Sequence, residues 1–519
     1  MPTYLTPGVY VEEVDTGSKP LSAVGTAVAA FVGFTAKAPL DDPDDPDGLR
    51  PRLVTNWSQF ERLYGGFAPG AMLPHAVYGY FNNGGGLCYI VRVAHEKPTG
   101  ERPALALPTA EKPDKPALEL TAKVEDDIEV VIQPGIPDPE SGGEGPAFEL
   151  IVLRSGTEAE RFGGLSMTKG PRFAEAVVNE TSTLINIKVK TTEKSVVPAT
   201  GTFAVERAAT APVPVRAGDF EGAESNRTGI RGLVIADEVT MIAIPDLVTA
   251  ARQDDGTVDL DMWKSVQTSL ITHCEGAANR MAILDPPPGL DSQQVKEWRA
   301  GEAMYDSKFA ALYYPWIKVA NPAGTNGDRF LTVPPSGHLA GVWARNDESR
   351  GVWKAPANEV IFGALDVANK VTEGEQSLLN PIGVNCIRPF STRGIRVWGA
   401  RTLSSDPSWR YLNVRRLFNM IETSILQGTQ WVVFEPNDMA LWARVRRTIT
   451  AFLLGLWRDG ALFGATPEEA FYVKCDAETN PPESIDEGKL VVEVGIAPVK
   501  PAEFVIFRVS QWHGGASVE

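Results

Sequence analysis

Val239-Thr240-Met241-Ile242-Ala243-Ile244 is an uncharged, β-prone run closed by Pro245. Downstream of it Trp263, Val266, Leu270 and Cys274 recur at helical spacing, so that segment predicts a helix with one apolar face. Met281-Ala282-Ile283-Leu284 reads as a second strand, broken by Asp285-Pro286-Pro287-Pro288. Ser292 is placed to cap a helix carrying Val295, Trp298 and Met304, ahead of a strand over 311–319. Apolar strands alternating with amphipathic helices predict an α/β layer around a partly parallel sheet.

Outward from that core, 27–34 is apolar enough for a buried strand, and Asn83-Gly84-Gly85-Gly86 reads as a tight turn feeding a strand over 87–93. In the last third, Val414, Leu417, Phe418, Ile421 and Ile425 form one helical stripe. Trp431-Val432-Val433-Phe434 predicts a strand, and Asn437 is placed to cap a helix presenting Leu441, Val445, Phe452 and Leu456. Strands over 490–496 and 504–509 close the chain. From 98 to 146 prolines and acidic residues crowd in, with strand-like pieces at 128–132, 148–153 and 184–190, as in an inserted β-rich domain. The expected fold class is therefore α/β and α+β multidomain. Its α/β core is built from N- and C-terminal parts, with a β-rich insertion and extended terminal strands.

The chain has 519 residues, 43% of them hydrophobic, enough for several buried cores. A net charge of −17 argues against coating nucleic acid, which needs a surplus of Lys and Arg. No run approaches the roughly 18 apolar residues of a membrane span, so no membrane insertion is expected. The opening Met1-Pro2-Thr3-Tyr4 lacks the basic and apolar regions of a secretory signal, and the four cysteines are scattered. Assembly in the cytoplasm is the expectation.

Motifs for chemistry are missing. No P-loop, GxGxxG, GxSxG or HExxH occurs, so neither cofactor nor metal is expected. The acidic run 41–47 reads as a solvated loop, since its prolines break calcium-loop spacing. Asp246 and Asp285 follow predicted strands, where an α/β enzyme would place a catalytic or metal-binding carboxylate, but turn and helix-cap roles suit Pro-Asp and Asp-Pro pairs better. Pro334-Pro335-Ser336-Gly337-His338 reads as a rigid turn rather than a nucleophile and its base.

Two features concern assembly. The strand-like runs containing Val9, Tyr10, Val11 and Val14, and Phe504, Val505, Ile506, Phe507 and Val509, lie at the chain ends, where a strand can leave its own body and extend a neighbour's sheet. Arg401, Arg410, Arg415, Arg416, Arg444, Arg446, Arg447 and Arg458 gather in an acidic chain. They suit a solvated face, internal ion pairs or an acidic partner.

Leu379-Asn380-Pro381-Ile382-Gly383-Val384-Asn385-Cys386-Ile387-Arg388, Val397-Trp398-Gly399-Ala400-Arg401, Asn413-Val414-Arg415-Arg416 and Val433-Phe434-Glu435-Pro436-Asn437 resemble contractile tail sheath proteins of phages and related injection systems. Pro7-Gly8-Val9-Tyr10-Val11-Glu12-Glu13 and Phe81-Asn82-Asn83-Gly84-Gly85 resemble the same family. The resemblance implies a non-enzymatic subunit that stacks on itself in hexameric rings around an inner tube protein, with baseplate and tail-terminator or cap partners. It would end in a virion tail or injection particle. The expected division is 1–35 arm and first strand, 36–97 and 221–375 core and α/β middle domain, 98–220 outer insertion, 376–500 C-terminal sheath domain, and 501–519 arm. Arg444, Arg446 and Arg447 are the expected inner-tube contact. A static shell or surface-layer protein, or an α/β metal-dependent hydrolase, are the alternatives.

Overall fold

A computed structural model describes residues 21–39, 42, 44, 45, 47–98, 103–112, 114–123, 128–136, 146–154, 156–191, 196–205, 210–322 and 329–509. Its centre is an eight-stranded sheet: β1 (Ala29–Gly33), β2 (Arg52–Val54), β3 (Cys88–Arg92), β4 (Met241–Ala243), β5 (Met281–Leu284), β6 (Ala310–Tyr314), β7 (Val384–Phe390) and β8 (Gly394–Val397), in spatial order β2-β3-β1-β4-β5-β6-β7-β8. The six inner strands run parallel, and β2 and β8 are antiparallel edges. β1, β4, β5 and β6 are buried at every position, which is why they read as unbroken apolar runs instead of alternating ones.

Helices α1 (Leu73–Asn82), α2 (Leu260–Ala277) and α3 (Ser336–Arg350) lie on the sheet. Trp263, Val266, Leu270 and Cys274 of α2 are all buried, as their spacing predicts. α1 and α3 meet through small residues. A methyl at Gly337 would lie 2.3 Å from Ala76 Cα, and one at Gly341 would lie 2.4 Å from the Tyr80 carbonyl.

The sheet steps outward from β1 to β3, then returns to β4 on the other side of β1. The crevice at this reversal, beyond the carboxyl ends of β1 and β4, is where open α/β sheets bind ligands. Here the chain fills it itself. The buried Asp246 carboxylate accepts from the amides of Phe34 (2.7 Å), Met72 and Leu73 (3.0 Å), joining β1 to the start of α1. Gly33 is required, since any Cβ would fall 2.2 Å from Asp246 Oδ2. Asp285, after β5, accepts from Ser336 N at 3.0 Å and so caps α3. Burial pushes both carboxyls up to about 7.

The insertion carries its own core, in which Leu118, Val130, Val152 and Ile185 are among the buried residues. Strands Pro116–Ala122, Ile128–Pro134, Phe148–Arg154 and Ile185–Val189 surround it, and Glu96–Pro98 pairs with Thr210–Pro212 where the chain enters and leaves. A third core joins α4 (Leu412–Gly428), α5 (Met439–Arg458) and a two-stranded sheet of β9 (Phe471–Lys474) and β10 (Glu493–Ile496).

Several local expectations are corrected. The run 311–319 divides at Pro315 into β6 and Ile317–Ala320. Asp291, not Ser292, caps the next helix, and Met304 lies beyond a π turn that ends it. Residues 334–338 open α3 instead of forming a free turn, because Asp285 supplies the acceptor for its first amide. Trp431–Phe434 is no strand: Gln430–Val432 is a 3₁₀ turn, and Phe434 sits at φ 67° with its ring in solvent. Asp438 caps α5 one residue after Asn437. The stretch 504–509, expected as a strand, joins no ladder among the described residues.

Asp246→Ala orphans three amides, each worth ~1–3 kcal/mol when buried unpaired, so its denaturation midpoint should drop sharply. Asp246 and Asp285 titrate near 7 folded and near ~4 unfolded. The folded chain thus holds more protons between those values, and this contribution to stability falls as pH rises through that window. Asp285→Asn should lose less stability than the parent between pH 5 and pH 8 in urea melts; equal losses would refute the argument.

Candidate functional site

The C-terminal segment leaves the body at a well-tied root. Val499 is held at its amide by the Ala461 carbonyl (3.3 Å) and at its carbonyl by Asn413 Nδ2 (3.1 Å). The Glu503 carboxylate then receives Asn380 Nδ2 (2.7 Å), Arg401 Nε (2.9 Å), Arg401 Nη2 (2.6 Å) and the Tyr411 hydroxyl (3.3 Å). Burial alone would raise this carboxyl, but the donors outweigh it and hold it below the usual glutamate range.

Beyond Glu503 the chain changes character within one residue. Phe504, Val505, Ile506, Phe507 and Val509 are each between 67 and 94% exposed. Five large apolar side chains within six residues of a solvated, unpaired segment are unusual for a finished surface. Val9, Tyr10, Val11 and Val14 lie outside the described residues.

A matching deficit occurs in the same third of the molecule. β9 and β10 pair only with each other; the chain just past β10 is bridged at Pro498 to Leu462, but among the described residues no ladder covers the outer edges of the two strands themselves. One face packs on the third core through Phe471 and Val494, while Tyr472 points into solvent. Two-stranded sheets are marginal alone and accept added strands readily.

The arginines divide into two groups. Arg416 pairs with Asp347 at 2.5 Å, both side chains at most 4% exposed, and also donates to the Thr26 carbonyl. Arg415 pairs with Glu422 and lies over Trp409; Arg401 pairs with Glu503; Arg444 pairs with Glu435 and lies over Trp431. These four are internal ties. Arg410, Arg446, Arg447 and Arg458 are exposed. Of the three expected tube-contacting arginines, Arg446 and Arg447 lie exposed on α5, and Arg444 is engaged in a half-exposed pair with Glu435.

Sequence reasoning missed Glu503, which stands 102 residues from Arg401 with no local signal. It also missed β9, for which the period-two pattern Phe471-Tyr472-Val473-Lys474 was a usable sign. Among the described residues no group of three His, Cys, Asp or Glu is disposed to hold a metal.

Removing one partner of a buried ion pair costs ~3–5 kcal/mol, whereas exposed substitutions stay within ~0.5 kcal/mol. Arg416→Ala should therefore lower the denaturant midpoint severely, and Arg446→Ala should leave it unchanged. Similar midpoints for both would contradict the division.

A model of the phage tail sheath protein central domain matches residues 244–403, and one of the phage tail sheath C-terminal domain matches 404–511. A prophage major tail sheath protein of Pseudomonas aeruginosa (strain UCBPP-PA14) is 30% identical over 260 residues, 48% of this chain and 64% of that protein. The tail sheath protein of Burkholderia phage BcepMu is 24% identical across 96% of this chain and 95% of its own length. Among solved structures, the contracted sheath of the PVC extracellular contractile injection system superposes with a TM-score of 0.58 at 25% identity, covering 98% of this chain and 99% of that one. The contracted helical sheath of the anti-feeding prophage gives 0.58 at 25% identity, covering 98% of this chain and all of the other. With family models spanning 244–511 end to end and a relative aligned along nearly its whole length, this chain belongs to the contractile tail sheath protein family.

Proposed function

We propose that the chain is the structural subunit of a contractile sheath. It polymerises as stacked rings around an inner tube and shortens to drive that tube through a target envelope. The observation that carries this reading is the apolar segment 504–509, exposed and unladdered among the described residues of a body that also holds a two-stranded sheet with open edges there. Strand addition between copies answers both deficits: main-chain bonds supply affinity, and alternate side chains supply register. The N-terminal run around Val9–Val14 is the second arm. Such links stay intact while the bodies they join rotate, so a lattice built from them changes length without dispersing.

No catalytic step enters this account. Asp246 and Asp285, the carboxylates best placed for chemistry, are occupied by backbone amides. The work is stored in the assembled lattice. At about 25 cal/mol per Å², burying an extra ~200 Å² of apolar surface per subunit on shortening supplies ~5 kcal/mol before opposing terms. A static shell would use the same arms but have one lattice spacing only.

The proposed domain plan assigns 98–220 to an outer insertion and 376–500 to the sheath-forming part, with 1–35 and 501–519 providing arms. Its partners are further copies, the inner tube, a baseplate and a terminator. Homology to sheaths of phage tails and injection particles supports a final place in such a particle.

Purified chain should polymerise without ATP. Removing residues 504–519 should leave a folded monomer with an unchanged melting profile that forms no tubes in electron micrographs; normal tubes from the truncated chain would refute the arm. Reversing charge at Arg446 and Arg447 should abolish co-assembly with the tube while leaving sheath-only polymers intact. Unaltered tube binding would remove that contact.

A further inference from the structure

The arm's root raises the question of how force reaches the subunit body. Between Val499 and the exposed segment the chain is poorly packed. A cavity of about 720 Å³ lies beside it, lined by Trp353, Trp398 and Tyr411. Apolar contact is thus an inefficient way of holding this stretch, since an open groove forfeits the dispersion contacts of a close-packed one. The grip is polar and concentrated on one side chain, Glu503, which takes four hydrogen bonds from three residues.

Those donors come from separate places in the fold. Asn380 precedes β7, Arg401 follows β8, and Tyr411 opens α4. Arg401 is itself fixed at both ends. Its guanidinium donates to the Asn380 carbonyl at 3.1 Å, and its amide donates to Asn385 Oδ1 at 2.7 Å. Asn385 lies on β7 and donates in turn to the Arg401 carbonyl (2.8 Å) and to Leu312 of β6 (3.1 Å). An unbroken polar path therefore runs from Glu503, the residue before the apolar run, to β7 and β6, inside one margin of the central sheet. The Arg401–Glu503 contact is a two-point fork, which fixes direction as well as distance.

We propose that Glu503 and Arg401 are the mooring of the C-terminal arm, positioning residues that deliver tension on the arm to the central sheet. This rests on the arm reading above and adds to it a load path. An arm anchored only by the weak β9–β10 region would peel that small sheet from α5 when pulled. An arm moored at Glu503 passes the pull to β6 and β7, whose ladders lie inside the sheet. The mooring lies outside the three apolar cores, so the chain should still fold when it is weakened, but it is needed once the lattice carries load.

The test uses the full chain with Glu503→Gln, and with Arg401→Lys as a milder variant that keeps the charge but loses the fork. Amide exchange of the monomer across 500–503 is measured by mass spectrometry. Tube lengths are then measured in micrographs before and after controlled hydrodynamic shear. The expected result is a melting temperature within a few degrees of the parent, exchange at 500–503 at least tenfold faster, and sheared tubes at least threefold shorter than those of the parent. Should Glu503→Gln melt far below the parent, the same two readings on Arg401→Lys decide the matter. Unchanged exchange, or equal tube lengths after shear, overturns the mooring and leaves the sheath reading intact. A parent chain that forms no tubes overturns both.

Discussion

An extended chain must find hydrogen-bond partners for its main chain, and a run of large apolar side chains must find cover. Among the described residues the stretch from Phe504 to Val509 finds neither, and the edges of the β9–β10 sheet carry no further strand. These two shortfalls are of the same kind, an extended segment lacking a sheet and a sheet lacking a strand. In the isolated copy the two stay apart, with Glu503 fixing where the segment departs. On the proposed arm reading, polymerisation draws on ordinary backbone chemistry.

A body that transmits motion must also be stiff. The parallel sheet gives stiffness through strands buried on both faces, and two buried carboxylates tie helices to it at their first turns. Asp246 is instructive because it occupies the crevice where doubly wound sheets bind ligands. Three amides that would elsewhere hold a bound anion hold a side chain of the same protein. The architecture familiar from α/β enzymes is thereby kept as a frame, with its ligand site closed by the chain itself. The helical C-terminal part is riveted to this frame by Arg416, which reaches Asp347 on α3 and the carbonyl of Thr26 in the segment leading into β1.

What the sequence revealed depended on how local the cause was. The buried strands β1, β4 and β5 and the helices α2 and α4 were legible because burial on both faces, or on one stripe, writes itself into consecutive residues. Trp431–Phe434 misled for the same reason. Its residues have the β-prone composition of a strand, yet Arg444 stacks on Trp431 and pairs with Glu435, holding the segment as a turn that turns Phe434 outward. The arginine cluster was visible as a cluster, but its division into internal ties and free faces depended on acids such as Asp347 and Glu503, distant in sequence. Glu503 itself was illegible: nothing around it in the chain announces that Asn380, Arg401 and Tyr411 converge there.

All four native cysteines are buried and unpaired, so an added pair on the surface can be read cleanly. The most direct measurement introduces Tyr472→Cys on β9 together with cysteine at Val505 or Ile506, oxidises assembled protein and resolves it without reductant. Arms that bond in other copies predict a ladder of covalent multimers of this chain. Crosslinks confined within single chains, or none with either position, would contradict the account.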